Sequence, residues 1–144
     1  MAQYATAADL ASLGLPATAL ANIPIATQDD HLLHAGGLMD SYLRAQYTLP
    51  LVQPYPDEIV RCNVVLASYD IIQFRGYNPD EYDANWRLRY EDAIRWLEGI
   101  ASGTVALTEI ADSTPTQYDG RPRVATGGAN LLNGKGTPGA LRGW

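Results

Sequence analysis

The sequence has little of what disulfide, zinc, nucleic-acid or membrane function requires. Cys62 is its single cysteine, which excludes an internal disulfide and a cysteine-based zinc site built from one chain. Lysine and arginine total 10 against 16 aspartate and glutamate residues, and the net charge of −6 argues against a broad basic surface for nucleic acid. No apolar run approaches the ~20 residues that span a bilayer, and the N-terminus MAQYATAADL does not resemble a signal peptide. We therefore expect a soluble protein that is intracellular when it is made.

Histidine is almost as scarce as cysteine. The only two, His31 and His34, stand three residues apart beside Asp30, so a helix would place two potential metal ligands on one face. No second histidine pair or cysteine cluster completes such a site. We interpret both residues as polar-face histidines and predict no metal site.

Motifs for nucleotide binding and nucleophilic catalysis are also missing. The run ANLLNGKGT resembles a phosphate loop, but Ala129 stands where the first glycine belongs and Gly136 where serine or threonine belongs. No serine lies in a G-x-S-x-G elbow. The sequence predicts neither an enzyme nor a cofactor site, and the alternative of a small enzyme of unknown type would require a pocket of mutually close titratable groups.

What the sequence does contain is helical periodicity. It predicts a mainly α fold: a small bundle of three long helices, short N-terminal helices, one possible strand after the last helix and a long extended C-terminal tail. Thr6 and Asp9 form a capping box for a short helix over Ala7 to Leu13, and a turn or short helix follows at Pro16 to Ala21. The long helices are expected at Thr27 to about Tyr47, Pro56 to Gly76, and Asn78 to Gly103.

Apolar stripes predict which helix faces are buried. In the central helix, Asp29 and Asp30 are expected in the first turn, where they suit the helix dipole, and the stripe lies on the residues that follow. The predicted inward residues are Leu32, Leu33, Leu38, Met39, Tyr42 and Leu43; then Ile59, Cys62, Val65, Leu66, Tyr69, Ile72, Gln73 and Phe74; then Tyr82, Trp86, Tyr90, Ala93, Trp96, Leu97 and Ile100. The breadth of the middle set indicates a helix that is buried on more than one side.

The C-terminal part changes character. Val105, Leu107 and Ile110 alternate with polar residues and could form one strand. We predict a helical domain over 1–111 and a Gly/Pro-rich docking tail over 112–144, which should fray unless a partner chain holds it. The tail residues expected to contact that partner are four cationic and four apolar side chains: Arg121, Arg123, Lys135 and Arg142, with Leu131, Leu132, Leu141 and Trp144.

Four segments carry a resemblance to a known family. They are YATAADLASL, HAGGLMDSYLRAQYTLPL, PDEIVRCNVVLASYDIIQFRGYN and RYEDAIRWLEGIASGTVAL. In this order, from Tyr4 to Leu107, they resemble the Mu-like tailed-phage head–tail connector family. The family-typical core positions are Leu38, Tyr42, Leu43, Tyr47, Leu49, Pro50, Leu51, Tyr90, Trp96 and Leu97.

The resemblance implies an architectural role. A connector (adaptor) of this kind forms a ring, about twelve copies by closed symmetry, beneath the portal protein in the neck of the virion. Genomic DNA passes through the channel without sequence-specific binding, and the lower face of the ring meets tail-completion or tail-terminator proteins. The alternative is a soluble helical binding module or regulator whose tail recognises a partner.

Overall fold

The computed structural model describes residues 2–77 and 83–107, and these residues form helices and loops without a strand. The mainly α prediction is confirmed. Within these ranges the helices, in chain order, are α1 (Ala7–Leu13), α2 (Ala17–Leu20), α3 (Ile25–Leu43), α4 (Asp57–Arg75) and α5 (Asp83–Ala101).

Helices α3, α4 and α5 form the bundle, with α4 antiparallel to both neighbours. Asn63 of α4 donates from Nδ2 to the carbonyl oxygen of Leu32 at 3.0 Å, and the rings of Tyr69 and Tyr90 stack with centroids 4.5 Å apart. Arg75 at the end of α4 pairs with Asp83 at the start of α5. Gln46, just after α3, donates to the Ala101 carbonyl oxygen at the end of α5. Helices α3 and α5 therefore run in the same direction. We call residues 44–56, which join α3 to α4, the buckle; the end of the bundle beside it is the buckle end, and the other is the far end. Each long helix has 19 residues, so the ends are about 28 Å apart.

Helix α4 is covered on more than one side, as its broad apolar pattern predicts. Asn63 faces α3, whereas Val64 and Ser68 lie against Gly14, which ends α1. Ile59, Leu66, Ile71 and Ile72 are all fully buried. The bundle therefore has one continuous core, with α4 at its centre.

Most predicted boundaries depend on local signals, and these are confirmed. The capping box of Thr6 and Asp9 opens α1, and α4 ends at Arg75 before Gly76, whose φ is 110°. Gly103 has φ 77° just after α5, as expected for a C-terminal glycine. The predicted cap of the last long helix, Asn78 with Pro79, lies outside the described residues.

Helix α3 differs from its prediction at both ends. It begins at Ile25, so Asp29 and Asp30 lie in its second turn and not in the first. The reason is that the Gln28 side chain is buried and donates to the Ile23 carbonyl oxygen at 2.8 Å, which ties the segment after Pro24 into the helix. The helix ends at Leu43 and not near Tyr47, because the amides of Ala45 and Gln46 donate three residues back and tighten the chain into a turn.

Three predicted core positions are wrong. Gln73 and Phe74 are exposed at the end of α4. In this part of the helix the buried face consists of Ala67, Ser68 and Ile71, because α1 covers that face. Leu38 is also exposed, since it lies on the side of α3 that no other helix covers.

The predicted strand is wrong at Val105 and Leu107. The amides of Thr104 and Val105 both donate to the Gly99 carbonyl oxygen, at 2.9 and 3.0 Å, and turn the chain back against α5. Val105 then packs beside Gly99 and needs no neighbouring strand. Ile110 lies outside the described residues.

Candidate docking surfaces at the two ends of the bundle

The buckle contacts Leu107, the last residue that the structure describes. Tyr47 is buried, and its hydroxyl accepts a hydrogen bond from the Leu107 amide at 2.8 Å. Gln46 donates from Nε2 to the Ala101 carbonyl oxygen at 3.1 Å. Leu51 is buried beneath them. The last described residue, Leu107, therefore lies against the buckle end of the bundle.

Residues 2–6, which we call the strap, fasten α3 to the buckle. The Ala2 amide donates to Asp40 Oδ2 at 3.3 Å, and the Tyr4 hydroxyl donates to Asp40 Oδ1. The Tyr4 ring meets Tyr55 of the buckle edge-on at 5.0 Å. Burial, reinforced by the Asp40 carboxylate, raises the pKa of Tyr4 well above its usual range, so the phenol keeps its proton and its role as donor.

Replacing Tyr47 with phenylalanine is expected to loosen the start of the tail. The change removes one partly buried hydrogen bond, worth about 1 kcal/mol, and leaves the ring in place. Hydrogen exchange of the Leu107 amide should accelerate by about fivefold, the rate equivalent of that energy. The matched variant Tyr42→Phe, in the neighbouring helix, should leave that exchange rate unchanged. Equal protection of Leu107 in both variants would contradict the anchoring role.

A groove of about 980 Å³ opens at the far end between the α1–α2 corner and the first half of α5. Trp86 is almost completely buried along it, and the Arg89 guanidinium lies over the indole ring, 4.9 Å from its centroid. Arg75 and Asp83 form a two-pronged ion pair at 2.8 and 3.0 Å, which joins the end of α4 to the start of α5. Its walls are apolar, small and charged side chains: Ala11, Ser12, Gly14, Leu15, Pro16, Thr18, Ala19, Arg75, Asp83, Asn85, Trp86, Leu88, Arg89 and Asp92.

Leu88 is the most exposed side chain of the groove that is also large and apolar. It is 60% exposed and lies between two ion pairs of α5, Arg87–Glu91 at 3.0 Å and Arg95–Asp92 at 3.2 Å. Exposed ion pairs of this kind stabilise a helix only slightly. Their effect here is to neutralise the surface around Leu88.

Exposed apolar side chains gather at the far end. Ile25, Phe74, Tyr77 and Leu88 are four of the seven large hydrophobic residues that are exposed within the described part of the chain. Phe74 lies against His31 of α3, whereas Leu88 lines the groove, so these side chains lie on more than one side of the far end. The far end is thus a second candidate docking surface, separate from the tail.

The two histidines lie beside a carboxylate, but the three do not form a metal centre. Burial raises the pKa of Asp70 in α4, and the charges of His31 and His34 in α3 partly offset that rise. The His31 ring meets Phe74 edge-on at 5.6 Å. Over residues 2–77 and 83–107, no group of three or more histidine, cysteine, aspartate or glutamate side chains is placed to hold a metal ion.

The single cysteine is a core residue. Cys62 is buried in α4, and burial raises the pKa of its thiol to about 12. A thiol that keeps its proton is a poor nucleophile. Among the helices that the structure describes, none is both long and apolar enough to cross a membrane.

Comparison with known families gives one match. The model of the family described as Bacteriophage Mu, Gp36 matches residues 2–126. The chain belongs to this family. Membership makes it a phage protein of the structural or morphogenesis class, associated with the virion. No curated protein matches the chain.

The Gp36 match extends beyond the helical domain expected from the sequence. It continues past residue 111 and includes Arg121 and Arg123, but ends before Leu131. All eight predicted docking residues of the tail lie outside the described part of the chain. They are Arg121, Arg123, Leu131, Leu132, Lys135, Leu141, Arg142 and Trp144.

The remaining predicted positions of this Gp36-family protein fall into three groups. Four are buried: Leu43, Tyr47, Leu51 and Leu97. Four are half-buried and pack against the core: Tyr42, Leu49, Tyr90 and Trp96. Leu38 and Pro50 are exposed and do not belong to the core, because one faces outward from α3 and the other outward from the buckle.

Sequence reasoning did not identify the groove. Trp86 was expected in the core, and it is buried there, but it also lines the groove. One available signal was Leu88, an apolar residue that lies among charged ones and outside the inward stripe of α5. The α1–α2 wall of the groove had no signal, because its small residues come near α5 only through the packing of both on α4.

Proposed function

We propose that this Gp36-family protein is the head–tail connector (adaptor) of a tailed phage. One observation carries the proposal: the described chain ends at Leu107 against the buckle, and the tail follows in the sequence, whereas the exposed apolar side chains Ile25, Phe74 and Tyr77 lie at the far end, about 28 Å away. A protein with docking elements at opposite ends can hold two partners at once. A connector between the portal and the tail requires that arrangement.

The distribution of charge supports the proposal. Residues 1–111 carry six arginines against fourteen carboxylates, whereas residues 112–144 carry four basic side chains against two carboxylates. An acidic body around a DNA channel repels phosphate, so that the genome passes without being retained and without sequence-specific binding. The cationic tail is suited to an acidic partner surface.

In this proposal the body forms the ring, about twelve copies by closed symmetry, at the neck of the virion. The tail docks on the portal protein, with its basic side chains on acidic portal residues and its four apolar side chains as anchors. The opposite face of the ring receives tail-completion or tail-terminator proteins. The role is structural and involves no catalysis.

Truncating the tail tests the docking. A chain that ends at Tyr118 is expected to bind the purified portal of the same phage at least tenfold more weakly than the full chain, because every proposed contact residue is removed. A chain that ends at Thr126 keeps Arg121 and Arg123 but loses the anchors, so its affinity should lie between the two. Affinity would be measured by surface plasmon resonance at two salt concentrations, because charge-mediated binding weakens with salt.

The control for both truncations is the far-ultraviolet circular dichroism of the body, which should not change. Undiminished binding of the chain that ends at Tyr118 would contradict the tail docking.

The groove favours one alternative, a binding module that acts as a monomer. Its volume of about 980 Å³ is enough for a peptide segment of a partner. This alternative predicts a monomer both alone and with the portal, whereas the connector proposal predicts a ring. Native mass spectrometry distinguishes the two.

A further inference from the structure

We propose that the groove of one copy receives the outer face of α3 from the next copy in the ring. The outer face of α3 consists of five of the six exposed residues of that helix: Ala26, Asp30, His34, Leu38 and Ser41. The inference rests on the proposed ring and specifies which two surfaces of the chain form it. Three observations support the pairing: the sides on which the surfaces lie, their charge, and their position along the bundle.

The two surfaces lie on opposite sides of α4. Asn63 and Phe74 of α4 face α3, because Asn63 donates to the Leu32 carbonyl oxygen and the Phe74 ring meets the His31 ring. Elsewhere around α4, Val64 and Ser68 lie against Gly14 at the end of α1, and the ring of Tyr69 stacks on Tyr90 of α5. The groove opens between the α1–α2 corner and α5, and is therefore turned away from α3.

When two contact surfaces lie on opposite sides of a subunit, copies of that subunit associate head to tail. Such a contact is heterologous, since each copy uses one surface toward one neighbour and the other surface toward the second. When the rotation between neighbours closes, the result is a ring; a contact between two identical surfaces would stop at a dimer. The arrangement thus fits the ring that the proposed function requires.

The charge balance favours the groove as one side of the contact. Helix α5 and Arg75 together carry four arginines and four carboxylates, whereas the remaining described residues carry two arginines and seven carboxylates. Two copies that approached through acidic surfaces would repel each other. The neutral α5 surface with its exposed Leu88 is the part of the described body that can approach an acidic neighbour.

Single charges on the two surfaces are also complementary. Within residues 2–77 and 83–107, Arg89 has no carboxylate partner and rests only on the Trp86 ring, and Asp30 on the outer face of α3 forms no ion pair. Asp30 and Arg89 both lie within the first two turns of helices that run in the same direction from the far end. In side-by-side copies, Asp30 and Arg89 therefore lie at nearly the same distance from the far end along the bundle axis.

The size of the groove fits a helix face. At about 980 Å³ it is at the upper end of the volumes that hold a small molecule, so several side chains of a helix can enter it together. Ala26 is small enough to let the helix approach closely, and Leu38 supplies an exposed apolar side chain on the same face. The occupant that fits the observations is therefore a second copy of this chain.

A charge swap tests the pairing on the full chain. Asp30→Arg and Arg89→Asp should each reduce assembly at least tenfold, because each places two like charges in the contact. The double variant exchanges the two charges and restores an opposite pair at every interface, so its assembly should return to within about threefold of the parent. Assembly would be measured by sedimentation velocity over a range of protein concentrations, alone and with the portal.

Two charge reversals at the buckle end serve as controls. Glu98→Arg matches Asp30→Arg in charge, and Arg44→Asp matches Arg89→Asp; both should assemble like the parent. Melting temperatures confirm that each variant folds. Should Arg89→Asp fail to fold, Leu88→Asp, at an exposed position of the same groove, takes its place and should likewise disrupt assembly.

The outcomes separate this inference from the proposed function. If the parent forms rings and both single variants also form them, or if folded single variants lose assembly and the double variant does not regain it, the pairing of these surfaces is wrong and the connector role stands. If the parent remains a monomer at all concentrations and with the portal, both the pairing and the ring are overturned.

Discussion

Replacing Leu97 with alanine is expected to lower the free energy of unfolding by about 2–5 kcal/mol. Leu97 is fully buried in α5, which packs against both α3 and α4. Truncating it to alanine removes apolar contacts and leaves a cavity that the three packed helices can only partly fill. Because a domain of this size is stable by about 5–15 kcal/mol, the loss is a large part of its total stability.

Leu88 provides a matched control on the same helix. It is 60% exposed, so Leu88→Ala should change the free energy of unfolding by about 0.5 kcal/mol or less. Urea denaturation measures both values, and an unchanged slope confirms that the unfolded states are comparable. Similar losses in the two variants would contradict the packing described for α5. Leu88→Ala should instead weaken assembly, because Leu88 lies in the proposed contact between copies.

Replacing Gly36 with alanine is expected to destabilise the protein by about 1–3 kcal/mol, although alanine is the better helix former. Helix propensity alone would favour alanine by about 1 kcal/mol. A Cβ atom at Gly36, however, would lie 1.7 Å from the Ala2 carbonyl oxygen, which is backbone and cannot rotate away. The strap must move, and Asp40 then loses the donors Ala2 and Tyr4 while it remains buried.

The same substitution in a chain that lacks residues 2–5 should have the opposite sign. Without the strap the clash is absent, so alanine at position 36 should stabilise the shortened chain by about 1 kcal/mol. Thermal unfolding of the intact and shortened chains, each with glycine or alanine at position 36, gives both differences in stability. An intact chain that becomes more stable on Gly36→Ala would show that the strap does not press against α3.

The parts of the fold that could be predicted are those with local causes. The side chains of Thr6 and Asp9 accept hydrogen bonds from each other's backbone amides, so the start of α1 depends on four adjacent residues. Gly76 ends α4 because a glycine adopts positive φ without strain. The predicted start of α3 at Thr27 is wrong because the start depends on where the Gln28 side chain is buried, and no local signal shows that.

The other wrong predictions have a common cause: the structure at those residues depends on parts of the chain that are distant in sequence. Leu38 satisfies the apolar period of α3, yet no helix covers that side, and periodicity cannot reveal which neighbours are present. Val105 and Leu107 alternate with polar residues as in a strand. The chain instead turns back on Gly99, where the Val105 amide finds its hydrogen-bond acceptor and the Val105 side chain packs without a sheet. The groove depends on the distance between α1 and α5 around α4, which is a property of the assembled bundle.

One part of the proposed docking role could likewise be predicted from the sequence, and another part could not. The tail could be singled out by composition, since its basic and apolar residues stand among glycines and prolines with no core to join. The attachment of Leu107 to the buckle could not, because it depends on a hydrogen bond to Tyr47, 60 positions away in the sequence. The second surface, around Arg89 and Leu88, follows from the packing of the bundle alone.

The most direct test of the connector role is the symmetry of the particle that the full chain forms with the portal of the same phage. Class-averaged electron micrographs of the purified complex should show a closed ring, with about twelve copies beneath the portal, as head-to-tail contacts that close would produce. A complex with a single copy of the chain, or no stable complex with the portal, would contradict the connector role.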